Sequence, residues 1–273
     1  MRASRSKSPS PLPWGSFRGR WWALAWLPAV FAASLALAQV GADKRRSGYQ
    51  DMGQALQRMQ DDDAANPGML FVQLGEQLWA RPAGAANKAC ADCHAIAAMK
   101  GVAVRYPAMT KEGVRPIDLA GRIGLCRTAN QQAEPWAPES RELLSVEAFV
   151  ARQSRGLPIA PPDDPRLTPF REQGLVIWGR RQGQLNLSCA ICHDDNAGKK
   201  LAGVTIPEAH PTAYPVYRLE WQALGSLKRR LRNCLTGIRA ETYPSDAVEY
   251  VVLEIFLMDR ARGMLFEAPG VRP

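Results

Sequence analysis

The N-terminal segment 1–38 contains no acidic side chain and five Lys or Arg, and it ends in the apolar run "WWALAWLPAVFAASLALA". A basic, acid-free stretch followed by an apolar one marks a secretory signal, and Ala36-Leu37-Ala38 supplies a small-x-small cleavage site after Ala38. The run Trp21–Ala38 is near the lower limit of length for a spanning helix, so a retained anchor is the alternative. Pro28 interrupts the run and favours cleavage, which leaves a periplasmic protein with no membrane attachment. The absence of an adjacent Arg pair before the run favours general secretion over twin-arginine export. Without the signal and its five bases the formal net charge falls from +9 to +4, too mild for a nucleic-acid-binding chain. The remainder, 39–273, suffices for one large or two small domains with real cores.

Histidine is scarce as well: His94, His193 and His210 are all there is, and no methionine lies between His193 and Met258. Cysteine is not scarce. Six are present, and in an oxidising compartment each free thiol requires a reason. Four lie in "CADCH" (Cys90, Cys93, His94) and "CAICH" (Cys189, Cys192, His193), which match C-x-x-C-H, the attachment signature of c-type haem. Two thiols about one helical turn apart add to the vinyl groups, and the adjacent His coordinates the iron. A redox C-x-x-C or half of a zinc site are the rivals for a single match. Two matches, each ending in His, in an exported chain point to two covalently bound haem c groups. Only His210 is left over, so at most one haem is bis-histidine, and a dihaem peroxidase is disfavoured. Methionine, the common sixth ligand of electron-transfer cytochromes, is offered by Met99 and Met109 in the first half, and the second half has none in reach.

The chain is written twice. Gly75, Trp79 and Arg81 precede Cys90 at the same distances as Gly174, Trp178 and Arg180 precede Cys189. Tyr106-Pro107 precedes Cys126 by the same interval as Tyr214-Pro215 precedes Cys234, so the two remaining cysteines share one repeat position. Each half closes with an apolar periodicity of helical spacing, "SRELLSVEAFVARQSRG" and "SDAVEYVVLEIFLMDRARG", with Arg-Gly at the helix end. The expected fold is all-α, two tandem cytochrome c-type domains. A signal at 1–38 is followed by an N-terminal extension at 39–69 whose "MQDDDAANPGM" reads as a helix end running into a turn. Domain 1 takes 70–157, a proline-rich, non-helical linker 158–169, and domain 2 170–273.

Three readings of Cys126 and Cys234 stay open: a disulfide between them, a pair of inert buried thiols, or a distal thiolate ligand for each haem. A thiolate would lower the iron potential, the opposite of methionine. If Leu224–Cys234 is helical, Arg230 lies about 40° from Cys234, whereas Lys228, Arg229 and Arg232 point more than about 100° away. These three stand where the first repeat has Ala120, Gly121 and Gly124, and form either a solvated basic face or an anion-collecting surface. The Cys and Arg pair itself recurs as Cys126 and Arg122.

These residues resemble the A-subunit family of the sulfur-oxidising (Sox) cytochrome complex in its dihaem form. The resemblance rests on the two C-x-x-C-H motifs, on "RRLRNC" and on the segment "RRSGYQDMGQALQRMQDDDAANPGML". It implies axial pairs His94 and Cys126 for haem 1 and His193 and Cys234 for haem 2. It also implies an L-cysteine S-thiosulfotransferase: thiosulfate is joined oxidatively to a cysteine of the SoxYZ carrier protein. Electrons pass to a SoxX cytochrome subunit, held as a heterodimer, and on to a cytochrome c acceptor. Cys234 would carry a persulfide and Arg230 would bind substrate. A thiosulfate dehydrogenase forming tetrathionate and a plain electron-transfer dihaem cytochrome are the rival functions. The duplicated cysteine speaks against the first and the missing methionine against the second.

Overall fold

The structure, a computed structural model, describes residues 43–273 and Ser10. Apart from Ser10, the expected signal segment lies outside the described residues. Arg45–Pro273 form one compact unit, which is described below. Among the described residues no helix is long and apolar enough to cross a membrane.

Among the described residues eight helices carry the fold: α1 Gln54–Asp61, α2 Gly68–Ala80, α3 Leu119–Asn130, α4 Arg141–Arg152, α5 Thr168–Gly179, α6 Cys189–His193, α7 Leu227–Gly237 and α8 Val248–Arg260. The strands are short: β1 Ala108–Met109 pairs with β2 Pro116–Ile117, and β3 Lys200–Leu201 with β4 Val204–Thr205. β5 Val216–Arg218 lies between β6 Ala223–Gly225 and β7 Gly270–Arg272. The all-α, tandem cytochrome c architecture is therefore what the sequence led one to expect, with minor sheet.

The repeated Gly and Trp explain why each half packs as it does. α2 crosses α4 at Gly75, where a Cβ would fall 2.0 Å from the Ser145 carbonyl oxygen. α5 crosses α8 at Gly174, where a Cβ would fall 2.3 Å from that of Val252. Only a residue without a side chain lets these backbones approach so closely. One turn later Trp79 packs on Phe149 with ring centroids 5.6 Å apart, and Trp178 on Phe256 at the same distance. The closing helices end at Arg152 and Arg260, earlier than the expected Arg-Gly termini. Gly156 and Gly263 instead lie in turns with φ of 80° and 86°. Beyond them the tails pair across the molecule: Gly156 N donates to Phe266 O and Gly263 N to Ile159 O, each at 2.8 Å. The two halves are thus tied by equivalent segments about a pseudo-two-fold axis.

The halves also share a core, since Val146 and Phe149 belong to the same apolar cluster as Leu224, Met258 and Phe266. The proline-rich join packs down: Ile159 and Leu167 are each 1% exposed. Its last residues, expected to be non-helical, enter α5, which tolerates Pro169 in its first turn because no N–H is required there. α1 ends in the turn at Asp62, and the N-terminal extension reaches the far half of the molecule. Gln60 Oε1 accepts from Val271 N of β7 at 3.0 Å, and Asn66 Nδ2 donates to Pro269 O at 3.0 Å.

Candidate haem centres and the Cys234 site

Ser188 caps α6 by accepting from Ile191 N at 3.3 Å, which starts the helical turn that brings Cys189, Cys192 and His193 to one place. The first motif closes as a 3₁₀ turn, Cys90–Asp92, in which His94 N donates to Cys90 O at 3.0 Å. His193 Nδ1 lies 2.7 Å from the Pro207 carbonyl oxygen. A carbonyl only accepts, so Nδ1 carries the proton and Nε2 presents a lone pair, the form in which imidazole binds a metal. Each histidine ring is backed by the repeated tryptophan, with centroids 6.1 Å apart for Trp79 and His94 and 5.7 Å for Trp178 and His193.

Cys126 and Cys234 lie on α3 and α7. Asp118 caps α3, accepting from Gly121 N at 2.8 Å, and Ser226 caps α7, accepting from Arg229 N at 3.1 Å. α7 therefore starts at Leu227; Leu224, expected inside the helix, belongs to β6, where it pairs with Tyr217 of β5. Cys126 bears electrostatically on Cys90, and Cys234 on Cys189. Burial, reinforced by Cys234, pushes the Cys189 thiol up to about 11. Each leftover cysteine thus stands beside its own C-x-x-C-H motif. All six cysteines are free, so no disulfide joins Cys126 to Cys234. Met99 is packed in the main core, and Met109 packs on Leu167, Val251 and Ile255. Free thiols in pairs, an imidazole with its Nε2 lone pair presented, and a facing thiol form a donor set that fits covalently held haem c.

Sequence reasoning missed several neighbours. Tyr106 senses Arg122 and Cys126, and Tyr214 senses Arg230 and Cys234, so the Tyr-Pro tyrosine shares the site in both halves. Burial raises both phenols while the arginine opposes it. Arg230 also bears on His193, which burial holds below the ordinary imidazole value. The two halves diverge after the histidine. Asp194 Oδ2 accepts from Trp178 Nε1 at 2.7 Å and Oδ1 pairs with Arg260, whereas Ala95 stands in its place in the first half and Trp79 Nε1 is buried without a partner. The adjacent sequence D-D after "CAICH" was the only signal.

The three other bases of α7 are all engaged by the chain itself. Lys228 Nζ pairs with Asp118 at 2.6 Å, Arg229 stacks on Trp221 at 4.1 Å, and Arg232 Nη1 donates to Ser245 Oγ at 3.1 Å. His210, the spare histidine, is buried with Nδ1 2.9 Å from the Arg46 carbonyl oxygen.

The profile of the SoxA/TsdA cytochrome c domain matches residues 74–159 and 173–266, one match per half. The L-cysteine S-thiosulfotransferase subunit SoxA of Pseudaminobacter salicylatoxidans is 34% identical over 214 residues, covering 77% of this chain and 75% of the relative. The protein of that name from Allochromatium vinosum is 35% identical over 208 residues, covering 74% and 72%. The crystal structure of SoxXA from P. pantotrophus superposes with a TM-score of 0.81 at 27% identity, over 90% of this chain and 91% of that one. With the duplicated C-x-x-C-H sites, the Gly- and Trp-mediated helix crossings and this match in both halves, the chain belongs to the SoxA/TsdA cytochrome c family.

Proposed function

We propose that the chain is the SoxA subunit of an L-cysteine S-thiosulfotransferase, joining thiosulfate oxidatively to a cysteine of a SoxYZ carrier. Two haem c groups would be held, the first by Cys90, Cys93, His94 and Cys126 and the second by Cys189, Cys192, His193 and Cys234. The signal at 1–38 sends it to the periplasm, and a SoxX subunit completes the heterodimer. The observation that carries the reading is the placement of Cys234 and Arg230 on one helix beside Cys189 and His193.

When bound, haem supplies an electron acceptor next to a sulfur ligand. The chain's own residues do the rest. Cys234 carries a persulfide whose outer sulfur joins the terminal sulfur of thiosulfate as two electrons leave; the carrier thiolate then attacks that terminal sulfur, takes the thiosulfate and restores the persulfide, since sulfur transfer proceeds by thiolate attack on sulfur. Arg230 holds the sulfonate end of thiosulfate through charge-assisted, bidentate hydrogen bonds that Lys cannot reproduce. Joining thiosulfate to the carrier thiolate forms one S–S bond and releases two electrons, which leave through SoxX to a cytochrome c acceptor.

The test is peptide mass spectrometry of the purified heterodimer after incubation with thiosulfate, an electron acceptor and the carrier. A gain of one sulfur on the Cys234 peptide and none on the Cys126 peptide, with thiosulfate-modified carrier, is expected. Tetrathionate formed without carrier would instead make the chain a thiosulfate dehydrogenase.

A further inference from the structure

A cavity of about 230 Å³ lies at the seam of the two halves, and no residue of either C-x-x-C-H motif lines it. Its charged lining comes from both repeats: Asp118, Glu139 and Glu147 from the first, Lys228, Asp246 and Glu254 from the second. Tyr106 and Tyr214 line it as well. Glu147 and Glu254 are the same position of the repeat, as the matched contacts of Gly75 with Phe149 and of Gly174 with Phe256 show. The pseudo-two-fold axis therefore brings two equivalent carboxyls to one cavity. Lys228, which replaces Ala120 of the first repeat, is the one cation lining it among the described residues, and it is committed to Asp118 at 2.6 Å. Glu139 is committed to Ser226, accepting from its backbone N at 3.2 Å and from its hydroxyl. Glu147 Oε2 is sealed from solvent without any hydrogen-bond partner.

An ionised carboxylate without a donor in such a place costs far more than a neutral carboxyl does. We propose that the seam cavity is a proton-binding site in which Glu147 and Glu254 are held uncharged at neutral pH, so that the two halves grip each other most tightly while both are protonated. The electrostatics agree. Burial, then Asp118, raises Glu254 to about 8 against the opposing Lys228. Burial, then Asp118, Glu254 and Glu139, raises Glu147 well above the ordinary carboxylate value, and Lys228 again opposes. Both folded-state values lie above the unfolded ones, so each stabilisation is complete below the ordinary value of 4.5 and is lost as pH rises through the raised value, for Glu254 towards about 8. The proton released goes to solvent. The inference is independent of which sulfur compound is the substrate.

Infrared difference spectra of the holo-heterodimer between acidic and alkaline pH test the site directly. A protonated-carboxyl C=O band present at neutral pH is expected to disappear at alkaline pH, its Glu254 part with a midpoint near pH 8, and to be reduced in Glu147→Gln and in Glu254→Gln and absent in the double variant. The absence of such a band at neutral pH, or its survival in the double variant, overturns the proposal. Gln is the isostere of a neutral Glu, so failure of either variant to assemble with native haem spectra also overturns it. The link to the seam is read from unfolding equilibria. The unfolding constant of the wild type relative to Glu254→Gln should rise about tenfold per pH unit between about pH 5.5 and about pH 7.5 and level off above about 8. A ratio flat across that range shows that Glu254 does not take up its proton on folding, and overturns it.

Discussion

At the scale of the residue, the surroundings of Cys234 differ from those of Cys126 at particular side chains. Arg230 has an equivalent in Arg122, but only the second half has Asp194 to fix Trp178 against the histidine. Arg230→Lys should lower turnover by about tenfold to a hundredfold, because a lysine keeps the charge and loses the planar pair of donors. Steady-state assays beside visible spectra check this; loss of the second haem's spectrum would assign Arg230 a structural role. His210 gives a pH prediction. Burial holds it neutral, with its folded value lowered, so the protein loses stability as pH falls below about 6.5 towards that value. His210→Asn keeps a donor for the Arg46 carbonyl and removes the titration. Its unfolding midpoint relative to wild type should be constant above about pH 7.5 and should rise at lower pH.

At the scale of the element, helices α2 and α5 are defined by what they cannot carry. Gly174→Ala places a Cβ 2.3 Å from the Val252 carbonyl oxygen and should destabilise by about 1–3 kcal/mol, measured by chemical unfolding. Gly179→Ala in the same helix meets nothing within 4 Å and should be neutral or stabilising by about 0.5–1 kcal/mol. The contrast separates helix propensity from helix contact. α7 shows the same economy in its caps. Ser226 holds its first turn and takes Glu139 from the other half, so Ser226→Ala removes a cap worth about 1 kcal/mol and also leaves Glu139 without its partner.

At the scale of the whole molecule, the halves are not beads on a string. They share one core, exchange backbone hydrogen bonds at their tails and meet around a cavity of buried carboxyls. The N-terminal extension locks the arrangement from outside: Arg45 donates to the carbonyl oxygens of Arg260 at 2.7 Å and Arg262 at 2.9 Å, and Gln60 reaches β7. Gln60→Ala leaves the Val271 N–H buried without a partner, for a loss of about 1–3 kcal/mol. Limited proteolysis should then cut first at the C-terminal strand; an unchanged digestion pattern would show that the strap does not hold it.

The sequence by itself determined the repeat and which donor residues it brings together. C-x-x-C-H spacing, the count of three histidines, the twin positions of Cys126 and Cys234, and the helical face shared by Arg230 and Cys234 are all local in the chain. Local spacing fixes which atoms one helical turn brings together. It was silent on Lys228, Arg229 and Arg232, which looked like a surface and are each bound by a residue distant in sequence or across the β6–α7 corner. It was equally silent on Glu147 and Glu254, which stand in different halves of the chain and read as the polar side of two amphipathic helices. Only the docking of one half on the other turned those polar sides inward, because a charge is buried by the surface that closes over it and not by its neighbours in sequence.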